Sequence, residues 1–158
     1  MKPAVLFVCL GNICRSPLAE AAFRREAAVR GLDVQVDSAG TGDWHLDHSP
    51  DPRAQAVALA NGADISAYRS RLVTPDDFRR FTHIVALDHQ NLADLKALQP
   101  ADSTARLSLL LDFVPHRMGE PVADPYYGGP EGFDESWAIV AEAARHLAER
   151  IALDDSID

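Results

Sequence analysis

The sequence predicts an α/β fold in which a four-stranded parallel sheet is flanked by helices on both faces, three layers in a single domain. Three observations carry this. Short apolar runs of strand length alternate along the chain with segments patterned as helices, the order that sets parallel strands beside crossover helices. The 158 residues suffice for one core and contain no repeat, linker or low-complexity stretch, so residues 1–158 read as one domain. Apolar residues make up 47% and charged residues 25%, a balance that fits a globular chain rather than a disordered one.

Ala4–Val8 is a continuous apolar run and gives the first strand. After a short loop, Ser16-Pro17 opens a helix to about Arg30, with serine as the expected cap and proline in the first turn. Gly31 closes it. Val34 and Val36 begin a second strand that runs into Asp37-Ser38-Ala39-Gly40, and a loop rich in Gly, Asp, His and Pro comes next. Asp51-Pro52 starts a helix that stops near Asn61-Gly62, and Thr74-Pro75-Asp76-Asp77 opens a short one. Ile84–Leu87 is the third strand, Leu92, Leu95 and Leu98 mark a helix, and Leu107–Leu111 is the fourth strand. A long loop rich in proline and glycine runs from Val114 to about Gly132. The last helix carries Trp137, Ile139, Val140, Ala144, Leu147 and Ile151, and the acidic tail Asp154–Asp158 is expected to fray.

The net charge of −9 argues against nucleic acid or an anionic membrane as partner, because both reward clustered Lys and Arg. No apolar run approaches the roughly 20 residues a membrane helix needs. Ala4–Leu10 has the apolar character of a signal-peptide core. No charged segment of useful length precedes it, however, and Asn12 and Arg15 soon break the apolar pattern, so it reads as a strand. The only cysteines are Cys9 and Cys14, too few for a disulfide framework, which points to a reducing compartment and a cytoplasmic location.

In parallel α/β sheets ligands sit at the carboxyl ends of strands. The first strand ends at Cys9, the second near Ser38, and the long loop comes after the fourth, so all three are expected to meet on one edge. The segment Cys9-Leu10-Gly11-Asn12-Ile13-Cys14-Arg15-Ser16 lies between a strand and a helix start, where successive backbone N–H groups can turn inward as an anion-binding nest aided by the helix dipole. Gly11 supplies backbone freedom, and Asn12 tolerates a left-handed conformation. A thiol at such a nest is stabilised as its thiolate and becomes a nucleophile. The planar fork of Arg15 can hold two oxygens of a phosphoryl group, and Ser16 can donate to the cysteine sulfur when that sulfur departs. The plain alternative is a buried structural cysteine beside a surface arginine.

A thiolate attack on phosphorus also needs a proton donor for the departing oxygen. Asp124, before Pro125 in the long loop, is the candidate, although Asp before Pro is equally a turn signal. Trp44, Tyr126 and Tyr127 can wall a pocket deep enough for a phenyl ring, or can merely pack the loops. The six histidines show no metal-ligand spacing, and no metal site is expected. Asp43, Asp47, Asp51, Glu120 and Asp134 fall in or beside the expected mouth loops, where they would form an acidic rim that repels acidic peptides.

These residues resemble the low-molecular-weight protein tyrosine phosphatase family. The resemblance rests on Val8–Pro17, Asp37-Ser38-Ala39-Gly40-Thr41, Asp43-Trp44, Asp51-Pro52-Arg53-Ala54, Leu87-Asp88 with Asn91-Leu92, and Asp124-Pro125-Tyr126, blocks that cover nearly the whole chain in family order. It implies a metal-independent phosphoric monoester hydrolase with no cofactor, acting on phosphotyrosine and aryl phosphates through a cysteinyl-phosphate intermediate. Cys9 would be the nucleophile, Arg15 the phosphate clamp and Asp124 the general acid and then base. Leu10, Gly11, Asn12, Ile13, Cys14, Ser16, Trp44, Tyr126 and Tyr127 would bind substrate, with Asn12 and Ser38 bracing the loop. The implied partners are phosphotyrosine proteins, a tyrosine kinase among the candidates; nothing in the sequence speaks to oligomeric state. The loop's curvature and the resemblance both point to a protective Cys9–Cys14 disulfide under oxidation, unless Cys14 simply packs beneath the loop. Family members often carry a histidine near Tyr68–Arg71, and Tyr68 stands there instead, so that histidine's bracing role does not transfer.

Three other readings compete. A thiol-dependent arsenate reductase needs further cysteines downstream, and none occurs after Cys14. A component that passes cysteine-bound phosphate to a sugar does not account for Arg15 together with Asp124. A non-catalytic phosphotyrosine reader needs neither Cys9 nor Asp124.

Overall fold

Strand β1 (Ala4–Cys9) is buried at every residue and forms the axis about which the chain is wound. In this computed structural model, which describes residues 2–157 with side chains through residue 154, α1 (Arg15–Arg30) leads to β2 (Gln35–Gly40), then α2 (Pro52–Ala60) and α3 (Asp77–Arg80) lead to β3 (His83–Ala86). Helix α4 (His89–Leu98), β4 (Arg106–Leu109) and α5 (Pro130–Ile157) complete the order. The strands pair in parallel in the order β2-β1-β3-β4, with Val5 opposite Val36 on one side and His83 on the other. From β1 the chain steps to β2 on one side and returns to β3 on the other, which opens a crevice at the carboxyl end of β1.

Alternation along β1 divides the core. Val5, Phe7 and Cys9 face α1, α2 and α5, where they meet Leu18, Phe23, Ala54, Val57, Val140 and Leu147. Ala4, Leu6 and Val8 face the other layer and meet Phe78, Phe81 and Leu95. Helices therefore cover both faces, the arrangement the alternating pattern predicts. Phe7 and Phe23, fully buried with ring centroids 5.6 Å apart, tie β1 to α1, and burial of each ring contributes about 1.5–3 kcal/mol.

Most helix boundaries obey the sequence signals. Gly31 closes α1 at φ 66°, and Asp51 caps α2 by accepting from the Arg53 backbone N–H. The start of α1 differs from expectation. Cys14 occupies the cap position and makes no side-chain cap bond, while Ser16 lies inside the first turn with its hydroxyl engaged elsewhere. The fourth strand stops at Leu109, and the buried Leu110 and Leu111 turn instead into a 3-10 helix (Leu110–Phe113), because an apolar run alone does not distinguish the two. Helix α5 begins at Pro130, within the stretch read as loop, and continues to Ile157 where fraying is expected; Asp158 lies outside the described residues. No helix among the described residues is long and apolar enough to cross a membrane.

Candidate active site

The loop after β1 wraps its backbone around the Cys9 sulfur. Asn12 takes φ 58°, the left-handed turn that closes the loop, and its backbone N–H donates to Cys9 Sγ at 3.3 Å. Its side chain fastens the turn from beneath. Nδ2 donates to Ser16 Oγ at 2.8 Å and to Ser38 Oγ at 3.0 Å, while Oδ1 accepts from the Arg71 backbone N–H at 3.0 Å. Because Ser16 Oγ already accepts from Asn12, its own proton is available to Cys9 Sγ, 3.0 Å away. Ser38 likewise accepts from Asn12 and donates to Glu20 Oε1 at 2.7 Å.

Glu20 is buried, and burial raises its pKa against the lowering by Ser38 and Arg24. Tyr68, standing where the resemblance often has histidine, hydrogen-bonds Arg24 at the same network; burial and then the Glu20 charge push its hydroxyl up. The outer side of the loop is held by backbone: Thr41 N–H donates to Cys9 O and Gly42 N–H to Leu10 O. Gly40 passes so close beneath that a Cβ there would lie 2.7 Å from Leu10 O, which excludes any larger residue.

Arg15, in the first turn of α1, is only 3% exposed. Its Nη1 donates to Asp88 Oδ2 at 2.6 Å and to Val122 O at 3.0 Å, and its Nη2 lies 3.6 Å from Asp124 Oδ2. Burial disfavours the guanidinium charge, but Cys9, Asp88 and Asp124 more than offset it and raise its pKa. Asp88, two residues past β3, thus spans the crevice beside β1; it also caps α4 by accepting from the Asn91 N–H. The Val122 N–H donates to Leu87 O, which stitches the start of the Asp124 loop to the end of β3.

Asp124 makes the turn that its place before Pro125 signals, Oδ1 accepting from the Tyr126 N–H, and also faces Arg15 through Oδ2. The two meet Cys9 in a cavity of about 360 Å³ whose lining also includes Leu10, Gly11, Ile13, Cys14, Trp44, Tyr126 and Tyr127. The Tyr126 and Tyr127 rings meet edge to face at 4.9 Å, and Trp44 is 69% exposed at the mouth. Asn12 and Ser16 lie beneath the cavity rather than along it, and Ser38 beneath them. Cys14 borders the cavity as a buried free thiol. Burial, then the charges of Asp51, Cys9 and Asp124, push its pKa well up, so it stays protonated at neutral pH.

Three features escaped the sequence. Asp88 makes the shorter of the two ion pairs of Arg15, at 2.6 Å, and its place beside Arg15 depends on β3 lying next to β1, an order neither segment encodes. His45 lines the cavity between Gly11 and Tyr126 and carried no signal of its own. Glu20 supports the loop from within α1. The acidic rim does not form on the cavity wall: none of Asp43, Asp47, Asp51, Glu120 and Asp134 lines it, Asp51 being paired with Arg53 and Glu120 with Arg117.

The family model described as low molecular weight phosphotyrosine protein phosphatase matches residues 4–156. A low molecular weight protein-tyrosine-phosphatase of Streptomyces coelicolor is 42% identical over 152 residues, covering 93% of this chain and 92% of that one. The Schizosaccharomyces pombe low molecular weight phosphotyrosine protein phosphatase is 39% identical over 151 residues, with 94% and 96% covered. Among solved structures, YfkJ from Bacillus subtilis superposes with a TM-score of 0.90 at 35% identity, covering 98% of this chain and 97% of that one. With the match running through the loop from Cys9 to Arg15, Asp88 and the loop of Asp124, the chain belongs to the low molecular weight phosphotyrosine protein phosphatase family.

Proposed function

We propose that this protein hydrolyses phosphotyrosine and aryl phosphate monoesters through a cysteinyl phosphate on Cys9. The observation that carries the reading is the convergence of Cys9, the buried Arg15 and Asp124 on one aromatic-walled cavity. The loop N–H groups and Arg15 take the phosphoryl oxygens, with Arg15 aimed by Asp88 and Val122 O. Cys9 Sγ attacks phosphorus as the thiolate; the P–O bond to the phenol breaks, and Asp124 gives its proton to the departing oxygen. Asp124, now a carboxylate, takes a proton from water as that water attacks phosphorus. The S–P bond breaks, and the Ser16 hydroxyl, 3.0 Å from Sγ, stabilises the returning thiolate. Trp44, Tyr126 and Tyr127 would flank a phenyl ring and place its phosphate at the loop, whereas a phosphoserine has no ring to fill that wall.

On this reading residues 1–158 act as one catalytic domain, its partners are phosphotyrosine proteins, with a tyrosine kinase as one candidate, and its two unpaired thiols suit the cytoplasm. The test is phosphate release from matched phosphotyrosine and phosphoserine peptides in the presence of a chelator, with acid-quenched protein examined by mass spectrometry. The expected result is turnover of the phosphotyrosine peptide alone and a phosphate adduct on Cys9. Turnover without an adduct, or equal turnover of both peptides, would falsify the reading.

A further inference from the structure

Arg53, in the first turn of α2, does not line the cavity, yet it joins the two loops that do. On one side it is locked to Asp51: Nε and Nη2 each donate to a carboxylate oxygen at 3.0 Å, and the Arg53 N–H donates to Oδ1 at 2.8 Å. The Asp51 N–H in turn donates to Ile13 O, in the loop that carries Cys9. On the other side Nη1 donates to Gly128 O at 3.0 Å and Nη2 to Tyr126 O at 2.9 Å. Those carbonyls belong to the turn that starts at Asp124, closed by Tyr126 N–H to Asp124 Oδ1 and by Gly128 N–H to Pro125 O. The guanidinium is seated 4.6 Å from the Phe133 ring centroid and 5.7 Å from that of Tyr126. Four donor contacts from one planar group in fixed directions are something a lysine ammonium does not reproduce.

We propose that Arg53 is the positioning residue for the general acid: with Asp51 it forms a strut that sets Asp124 and the tyrosine wall at a fixed height over Cys9. The inference rests on the catalytic reading of Asp124 given above. Opposite the strut, the loop is anchored by Val122 to β3 and Arg15, so Asp124 hangs between two supports on different elements. Without the strut the support at Val122 keeps the loop attached, but the carboxyl is free to move away from the leaving oxygen. The loss should then fall on reactions that need the proton and spare those that do not.

The experiment measures kcat/KM for a series of aryl phosphates of rising leaving-group basicity, from 4-nitrophenyl to phenyl phosphate. It compares wild type, Arg53→Lys, Arg53→Met, Asp124→Asn and the Arg53→Lys/Asp124→Asn double variant, with thermal unfolding as the check of fold. For Arg53→Lys we expect a loss of about tenfold on phenyl phosphate and under about threefold on 4-nitrophenyl phosphate, part of the range seen for general acids. Once Asp124 is removed, adding Arg53→Lys should change either substrate by no more than about twofold, the signature of two residues acting as one unit. Should Arg53→Met not fold, Arg53→Lys carries the comparison alone. A uniform loss across the series, no loss at all, or an equal loss with and without Asp124 overturns the strut and leaves Arg53 a residue of loop packing. If Asp124→Asn itself shows no dependence on the leaving group, the assignment of the acid fails first, and the strut with it.

Discussion

From Cys9 to Arg15 the first loop buries all but Leu10 and Gly11, whereas from Ala123 to Gly129 the second leaves all but Pro125 and Gly129 well exposed. The first is braced from below by side chains that exchange hydrogen bonds with one another, Asn12, Ser16, Ser38 and Glu20. The second is held at Val122, through Arg53 and by the longer Asp124–Arg15 ion pair at 3.6 Å. A phosphate cradle gains from rigidity, because its donors must be in place before charge develops. A loop that donates a proton and encloses a phenyl ring must also admit the substrate and release the phenol, so fewer attachments suit it.

The comparison breaks hardest at the nucleophile. Cys9→Ser should lower turnover to background while phosphate-ester binding persists, since the cradle is made by backbone and Arg15; residual steady-state hydrolysis in protein free of wild type would refute the division of labour. Next comes the exposed loop's acid. Asp124→Asn should cost ~100- to 10,000-fold on esters with poor leaving groups and much less on activated ones. A uniform loss in a leaving-group series would remove Asp124 from that role.

Stability should rank the two loops in the same order. Asn12→Ala strips three side-chain hydrogen bonds, two of them buried, and places a less tolerant residue at φ 58°, with an expected loss of about 2–4 kcal/mol on denaturant unfolding. Tyr127→Ala, at a side chain 92% exposed, should stay within about 0.5 kcal/mol yet raise KM for phosphotyrosine. Comparable destabilisation by the two variants would show that the loops do not differ in this way.

Oxidation sharpens the comparison further. Cys14→Ser should keep its activity, because the Cys14 thiol is protonated and spends no charge in the cradle, but should regain less activity than wild type when dithiothreitol is added after peroxide. Equal recovery would make Cys14 a packing residue. The smallest effect lies away from both loops, at His83. Burial, and next the charge of Arg106, hold its imidazole below the ordinary histidine value of about 6.5, so between its folded and unfolded values the unfolded chain binds the extra proton. Stability from the neutral ring is present above that range and is lost as pH falls through it. Denaturant midpoints should decline on acidification across this window, and His83→Gln should flatten that part of the slope.

What could be read in the sequence was local. Strand, loop and helix succeed one another within Ala4 to Arg30, so the tight loop between strand and helix was legible through Cys9, Gly11, Asn12 and Arg15. The grouping of Trp44, Tyr126 and Tyr127 with Cys9 came from the rule that parallel strands present their loops at one edge. The contact between Arg15 and Asp88 could not be had that way, because it depends on β3 rather than β2 or β4 lying on that side of β1, and nothing within either segment encodes neighbour order. Ser16 was misjudged for a related reason: its composition suits a cap, but Cys9 and Asn12 compete for the hydroxyl and win it. The acidic residues do not reach the cavity wall because a residue's place in a mouth loop does not give its side-chain direction, and Asp51 turns back onto Arg53.

Helix α5 lies against α1, and its Val140, Ala144, Leu147 and Ile151 close the core that shelters Phe7, Phe23 and Cys9. On a ribosome these partners arrive far apart in time. At ordinary elongation rates, the interval between making Cys9 and making Asp124 is on the order of ten seconds, and α5 is made later still. On the catalytic reading proposed above, the nascent chain carries Cys9 throughout that interval without Asp124, the tyrosine wall or the covering helix. It can neither turn over a phosphoester nor count on its own fold to shield the thiol. On that reading, hydrolysis awaits the synthesis of Asp124 and α5.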